Sequence, residues 1–273
     1  MFVSIPSNLK KLLFLFLWTG CLSLAAQSIE KQPPPTEHQW LYGVGHAHVL
    51  DTYLSPMTYA GVSLGVWHRS ERRARWGNGR VTVQGLYGGN FSKLSAQADA
   101  DSGWDGFMTV GGGWHYNWNP RSGMRLALGG LAELGAGFTY YIKGGNNPAQ
   151  GRLSVQLATS VLLEQEFRCF SQKMKARLQM DVPLVGAMFT PDFGQSYYEI
   201  FTLGHYSHNV QCTSLLNAPT ARLQTLLNIP VGGATLTVGY WGDIRQSDVN
   251  RLKHHAWKHY FVVGYTRRLQ LLR

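Results

Sequence analysis

Charged residues make up only 15% of the 273-residue chain, against roughly 25% in an ordinary soluble domain. The acidic sign is the scarcer one, with 15 Asp and Glu against 25 Lys and Arg and a formal charge of +10. Cysteine is nearly absent, at three residues, so no disulfide framework carries the fold. Past the N-terminal segment no apolar run approaches the roughly 20 residues of a membrane-spanning helix, and mean hydropathy is slightly negative at -0.16. A bundle of membrane helices is excluded. No long stretch has helical periodicity, and no repeat of fixed length is present. The chain is instead rich in glycine (31 residues) and in aromatics (12%). Sparse charge, many glycines and aromatics, and balanced hydropathy fit alternating strands, whose apolar and polar faces average out.

The N-terminus reads as an address. Lys10 and Lys11 precede an apolar run from Leu12 to Leu17, and the small residues Ser23, Ala25 and Ala26 suit signal peptidase. Residues 1–26 are expected to be a cleaved signal peptide. Two other readings are a retained anchor, for which the run is short, and lipidation at Cys21, for which Trp18 makes a poor recognition box. Residues 27–39 form a lead-in with a proline run at Pro33 to Pro35. Cleavage leaves Cys169 and Cys212, which an exported chain can pair or keep as free buried thiols. Export makes nucleic acid an unexpected partner for the positive charge. A general basic bias with no specific ligand is the simplest account of the charge; the partners expected are outer-membrane lipids and lipopolysaccharide, the machinery that assembles barrels, and a small solute. No cofactor is expected. The glycines at 111–113 have no following helix to make a nucleotide site.

From Trp40 onward the alternation is pronounced. In residues 124–140 one face carries Met124, Leu126, Leu128, Leu134, Phe138 and Tyr140, and the other carries Arg125, Glu133 and small residues. In residues 152–168 Leu153, Val155, Leu157, Val161 and Leu163 oppose Arg152, Ser154, Gln156, Glu164 and Glu166. In residues 174–182 Leu178 and Met180 oppose Lys175, Arg177 and Asp181. A soluble sandwich would turn the apolar face inward; a membrane barrel turns it to lipid. Strand length, mixed charge on the polar face, and aromatics toward strand ends, among them Tyr240 and Trp241, favour the barrel. The predicted fold is an all-β transmembrane antiparallel barrel over residues 40–269, followed by a tail at 270–273. Its lumen is expected to be lined by Arg125, Glu133, Arg152, Glu164, Glu166, Lys175, Arg177 and Asp181.

Eleven runs read as strands, at 40–50, 57–68, 79–91, 106–118, 123–140, 151–168, 173–189, 197–211, 219–229, 234–245 and 257–269. Single-chain bacterial barrels have an even number. The connections "NPRSG", "CFSQK" and "PVGGA" look like periplasmic turns, which places the parity fault between residues 190 and 218. That segment is either one long external excursion, giving ten strands, or two shorter strands, giving twelve. A long structureless loop is unusual, so twelve is the expectation and ten the alternative.

The segments "FGQSYYEIFTLGHYSHNV", "NAP", "LTVGYWGDIRQSDVNRLKHHAW" and "HYFVVGYTRR" resemble an exported β-rich family of Gram-negative outer-membrane contexts, domain of unknown function 3316. The resemblance runs from about Trp40 to Leu269. It implies export and a barrel, and it transfers no catalytic residue. Barrels of this kind commonly finish on an aromatic assembly signal, whereas here "QLLR" follows the last strand-like run.

Several groups carry candidate chemistry. His205 and Ser207, two apart with Asn209 beyond, supply the residue types of a serine nucleophile and its base, with Glu199 or Asn209 as orienter. This resembles the His-x-Ser pairs of outer-membrane phospholipase A and lipid A deacylase. Strand rise sets Glu199 about 20 Å from His205, too far to orient it unless the chain folds back. His254, His255 and His259, with His46 and His48 on the first strand, are the candidate metal ligands, because closure brings first and last strands together. Arg69, Arg72, Arg73 and Arg75 fall in one apparent connection and suit lipid phosphates or plain solvation. The function expected is a small outer-membrane barrel with a structural, ligand-binding or minor transport role. The alternatives are a lipid ester hydrolase and a secreted ligand-binding β-protein.

Overall fold

The computed structural model describes residues 34–96, 101–144, 148–169 and 171–269. The expected signal peptide, Cys21 and the tail at 270–273 lie outside them. Among the described residues eleven strands and one short helix follow in order: β1 (Thr36–Asp51), β2 (Ser55–Arg73), β3 (Val81–Ala96), β4 (Ser102–Trp118), β5 (Met124–Tyr141), β6 (Ala149–Cys169), β7 (Gln172–Phe189), α1 (Tyr197–Phe201), β8 (Val210–Ser214), β9 (Thr220–Val231), β10 (Ala234–Val249) and β11 (Leu252–Leu269).

Ten of the strands close on themselves. Each of β1 to β7 pairs antiparallel with the next, β7 pairs with β9, and β9, β10 and β11 continue the ring. β11 returns to β1 from Thr36↔Leu269 to Asp51↔His254. β8 stands outside the ring and pairs only with the last residues of β7, from Val185↔Ser214 to Phe189↔Val210. The barrel therefore has ten strands, not twelve.

The difference lies in residues 190–209. The run 197–211 is not a strand. Ser196 and Glu199 form a reciprocal capping box that starts α1. Gly194, Gly204 and His208 then take left-handed backbone (φ 79°, 75° and 69°), which no extended run sustains. Only Val210–Ser214 is extended. β1 also begins at Thr36, before Trp40.

One end of the barrel carries the start of β1, the end of β11 and the connections at 74–80, 119–123 and 232–233, and β6 and β7 also meet there. The sequence-read turns "NPRSG", "CFSQK" and "PVGGA" are all here. The opposite, loop end carries residues 190–209. It also carries the tight Asn250–Arg251 turn, whose two residues have φ 53° and 61°, as a type I′ hairpin requires.

Burial is inverted relative to a soluble protein. Val44 is 54% and Leu64 59% exposed on the outer face, while Gln179 and Gln224 are 0% exposed inside. This is the distribution of an outer-membrane β-barrel, with apolar side chains toward hydrocarbon and every backbone group bonded within the closed sheet. Aromatics collect near both rims of the outer face. Trp104 stacks on Tyr140 at the loop end. At the other end Trp40, His68 and Tyr87 cluster, and Tyr116 meets Trp118. Trp241 departs from the expectation: it points inward and stacks on Trp67. No described helix is long and apolar enough to cross a membrane.

Closure brings backbones very close at two inward glycines. A Cβ at Gly113 would lie 1.9 Å from the Gly130 carbonyl oxygen, and one at Gly45 1.8 Å from that of His259. Gly113→Val should therefore destabilise the barrel by about 1–3 kcal/mol or more. The expected readout is a lower urea midpoint and loss of the heat-modifiable gel form; a wild-type midpoint would contradict the packing described.

Candidate functional site

The interior is filled by side chains in interlocking groups. Toward the loop end, Arg152 is ion-paired with Asp51 and reaches Asp105 at 3.6 Å. Asp105 also takes the Lys258 ammonium and a 2.8 Å bond from the Thr139 hydroxyl. Nearby, Tyr59 stacks on Tyr141 with centroids 3.7 Å apart and donates to Asp101 at 2.7 Å. Arg222 bridges Glu133 and Asp181, and Arg245 pairs with Asp243 and covers the Phe107 ring at 3.8 Å. Toward the terminal end, Arg177 donates to Glu71 (2.8 Å) and Glu164 (2.7 Å), and Arg125 reaches the same two carboxylates. Taking charges out of water is costly unless they are paired and hydrogen-bonded, which is why they interlock.

Between these groups lies an aromatic plug. Trp67 and Trp241 stack at 4.4 Å, and Tyr260 meets Trp67 edge-on at 4.9 Å. Leu41, Leu86, Leu226 and Val262 complete the cluster, all nearly fully buried. On β1 and β2 the plug residues fall between polar groups of the two ends: Leu41 between Gln39 and Asp51, and Trp67 between Arg69 and Tyr59.

The two mouths differ. Residues 190–209 cover part of the loop end. The Tyr53 hydroxyl donates to the Gln195 carbonyl at 3.0 Å, the Tyr197 hydroxyl accepts from the Gly151 N–H at 2.6 Å, and Asn250 donates to the carbonyls of Thr190, Pro191 and His208. Burial and the nearby Tyr197, Asp51 and Glu199 push the Tyr53 hydroxyl up to about 12. The terminal end opens into two adjoining cavities of about 380 and 780 Å³ that share Glu71, Glu164, Lys175 and Arg268 in their walls.

A family model for "Protein of unknown function (DUF3316)" matches residues 10–273. The chain belongs to this family. It has no match among curated protein sequences. Among solved structures, the DUF3316 barrel is similar to the outer membrane protease OmpT from Escherichia coli (TM-score 0.43, 7% identity, covering 90% of this chain and 100% of that one). It is also similar to the transport unit of the autotransporter AIDA-I from Escherichia coli (TM-score 0.44, 8% identity, 95% and 97%). A third is the beta domain of the Bordetella autotransporter BrkA (TM-score 0.43, 13% identity, 88% and 100%).

Within this DUF3316 barrel, Glu133, Arg152, Glu164, Arg177 and Asp181 are buried inside, and Arg125 is partly exposed there. Glu166 and Lys175 point inward near the terminal mouth, where Glu166 pairs with Lys173. Sequence reasoning missed their partners Asp51, Glu71, Asp105, Arg222 and Lys258, which lie on strands whose alternation was not read for charge.

The segment "GHYSHN" is a loop, so spacing by two no longer implies a shared face. His205 and Ser207 are exposed, and among the described residues no hydrogen bond joins them. Asn209 is buried and donates to the Thr190 carbonyl and to Gln195. Glu199 caps its own helix, accepting from the Ser196 N–H. These residues build the loop. A buried His115–Ser160–Asp181 chain does exist, with bonds of 2.8 and 2.5 Å. Its serine sits between histidine and aspartate, so the carboxylate does not orient the imidazole as a triad requires.

The histidines divide. His46, His48, His255 and His259 lie on the outer face; His48 stacks on His255, and His259 bonds Tyr240. His254 points inward. Among the described residues no group of three or more His, Cys, Asp or Glu is placed to hold a metal ion. Cys169 and Cys212 are unpaired at opposite ends of the barrel, Cys169 beside the β6–β7 turn and Cys212 on β8. Arg69, Arg72 and Arg73 belong to β2 and only Arg75 to the connection after it.

Two outcomes follow. Glu71→Ala strips two guanidinium groups of a shared carboxylate and should cost about 3–5 kcal/mol in urea unfolding of the micelle-bound protein; a change below 1 kcal/mol, roughly a surface pair's worth, would contradict the network. Burial opposes ionisation of Asp101, but the Tyr59 hydroxyl and the N–H groups of Ser102 and Lys143 outweigh it and hold the carboxyl below its usual range. Its stabilising contribution is thus present above about pH 4, the unfolded pKa, and is lost as pH falls through the lower folded value. Tyr59→Phe should move the Asp101 carbon resonance titration upward.

Proposed function

We propose that the protein is a closed outer-membrane barrel that binds a small solute in the vestibule at its terminal end and does not conduct. Export through residues 1–26 into a Gram-negative envelope is part of this reading. The observation that carries it is the Trp67–Trp241–Tyr260 plug, which occupies the interior between the charged networks. Chain termini and short turns mark the periplasmic side of such barrels, so the open vestibule faces the periplasm. Cavities of several hundred Å³ with a few convergent polar groups suit small-molecule binding. A role in transport would require displacing the stacked tryptophans.

Planar-bilayer recording tests the closed state. The wild-type protein should give no discrete conductance steps. Trp67→Ala with Trp241→Ala, verified as folded by heat-modifiable mobility, should give them. Regular steps from the wild type would sink the reading.

A further inference from the structure

The cavity of about 380 Å³ at the terminal end has an uneven charge balance. Its wall carries four glutamates: Glu37, Glu71, Glu164 and Glu166. Each is already engaged. Glu37 pairs with Arg268 and Glu166 with Lys173, while Glu71 and Glu164 share Arg125 and Arg177. Two cations of the same wall are less fully matched. Lys175 makes only a long pair, 3.9 Å from Glu164, a carboxylate that Arg125 and Arg177 already share. Arg69 has no carboxylate in ion-pair range among the described residues.

Arg69 is the more telling of the two. It is 6% exposed, and its two bonds go to neutral acceptors, Gln224 Oε1 at 3.1 Å and Gln39 Oε1 at 2.5 Å. The other buried cations Arg152, Arg177, Arg222 and Lys258 are each held by carboxylates. A guanidinium has five N–H donors in a planar fork that matches a carboxylate or phosphate edge. Buried charge without a counter-charge is costly, and an anion entering the cavity would remove that cost. Asn228, Thr235 and Thr266 in the same wall offer neutral partners for hydroxyl groups.

We propose that Arg69 anchors a site for an oxyanion, the carboxylate or phosphate group of a small solute, with Lys175 as the second positive contact. The proposal rests on the vestibule reading above and names the chemistry of its ligand.

The test uses the refolded protein in a neutral detergent, titrated calorimetrically with citrate, inorganic phosphate and raffinose, with melting temperature followed in parallel. Citrate or phosphate should bind saturably and raise the melting temperature, while sodium chloride at equal ionic strength should not. Whichever of the two binds assigns the source as carboxylate or phosphate. Arg69→Gln should weaken that binding by about tenfold or more without lowering the melting temperature of the ligand-free protein. Arg251→Gln, on the exposed turn at the loop end, should change it by less than about threefold. Arg69→Lys, which keeps the charge and loses the fork, should fall between, and it serves if the glutamine variant does not fold. Equal oxyanion binding by Arg69→Gln and wild type would overturn the proposal, as would no oxyanion binding by folded wild type. Raffinose binding indifferent to Arg69 would overturn it while leaving the vestibule reading intact, and the conductance experiment stands apart from all of these outcomes.

Discussion

Pairing β1 with β11 from Thr36↔Leu269 to Asp51↔His254 removes the last free edge of the sheet and divides every strand into a face toward hydrocarbon and a face toward a narrow interior. Away from the mouths, nothing polar on the second face has bulk water to fall back on. An amide or hydroxyl left without a partner there costs a few kcal/mol, and an isolated charge far more. The interior chemistry follows. Glutamines bond across strands, and Arg152, Arg177, Arg222 and Lys258 are each held by one or two carboxylates. Such pairs roughly break even against apolar packing, so they add little net stability. Their effect is that removing one member strands the others.

The same closure explains what could be read from the chain and what could not. Period-two alternation in residues 124–140 and 152–168 was legible because it is a property of a single strand, and the lipid-facing assignment followed from which face was apolar. Partnerships were not legible. Glu71 and Arg177 lie on strands that meet only across the closed interior, and no local pattern announces their contact. Residues 190–209 misled for a different reason. Their polar and aromatic spacing imitates a strand, and the signals against one are small: a Ser196–Glu199 capping box and the glycines at 194 and 204. Trp241 reads as a rim aromatic beside Tyr240, yet its parity puts it inside.

Glycine and tryptophan form one device in this interior. A Cβ at Gly65 would lie 2.1 Å from the Trp67 ring, and one at Gly43 2.8 Å from it. The small residues that give the polar face its bland appearance are the space into which the large rings fold. The plug is therefore packed as a core is packed, and interiors at that density have few discrete alternatives. On the non-conducting reading proposed above, opening it would mean displacing stacked indoles from this packing, and no separate gate is needed.

A plug with unlike mouths gives the interior a direction. At the loop end the 190–209 segment is tied down by Tyr53, Tyr197 and Asn250, and the charges beneath it, Asp51, Arg152, Asp105 and Lys258, balance one another. At the terminal end the cavities are open and the balance fails, because two carboxylates, Glu71 and Glu164, serve Arg125 and Arg177 and leave Arg69 to neutral amides. A uniformly structural interior would be expected to satisfy both ends alike, since the cost of an unpaired buried cation is the same at either. The imbalance sits beside the open cavities of the terminal end and is absent beneath the 190–209 segment, and that correspondence is what favours the proposed binding site over an incidental excess of positive charge.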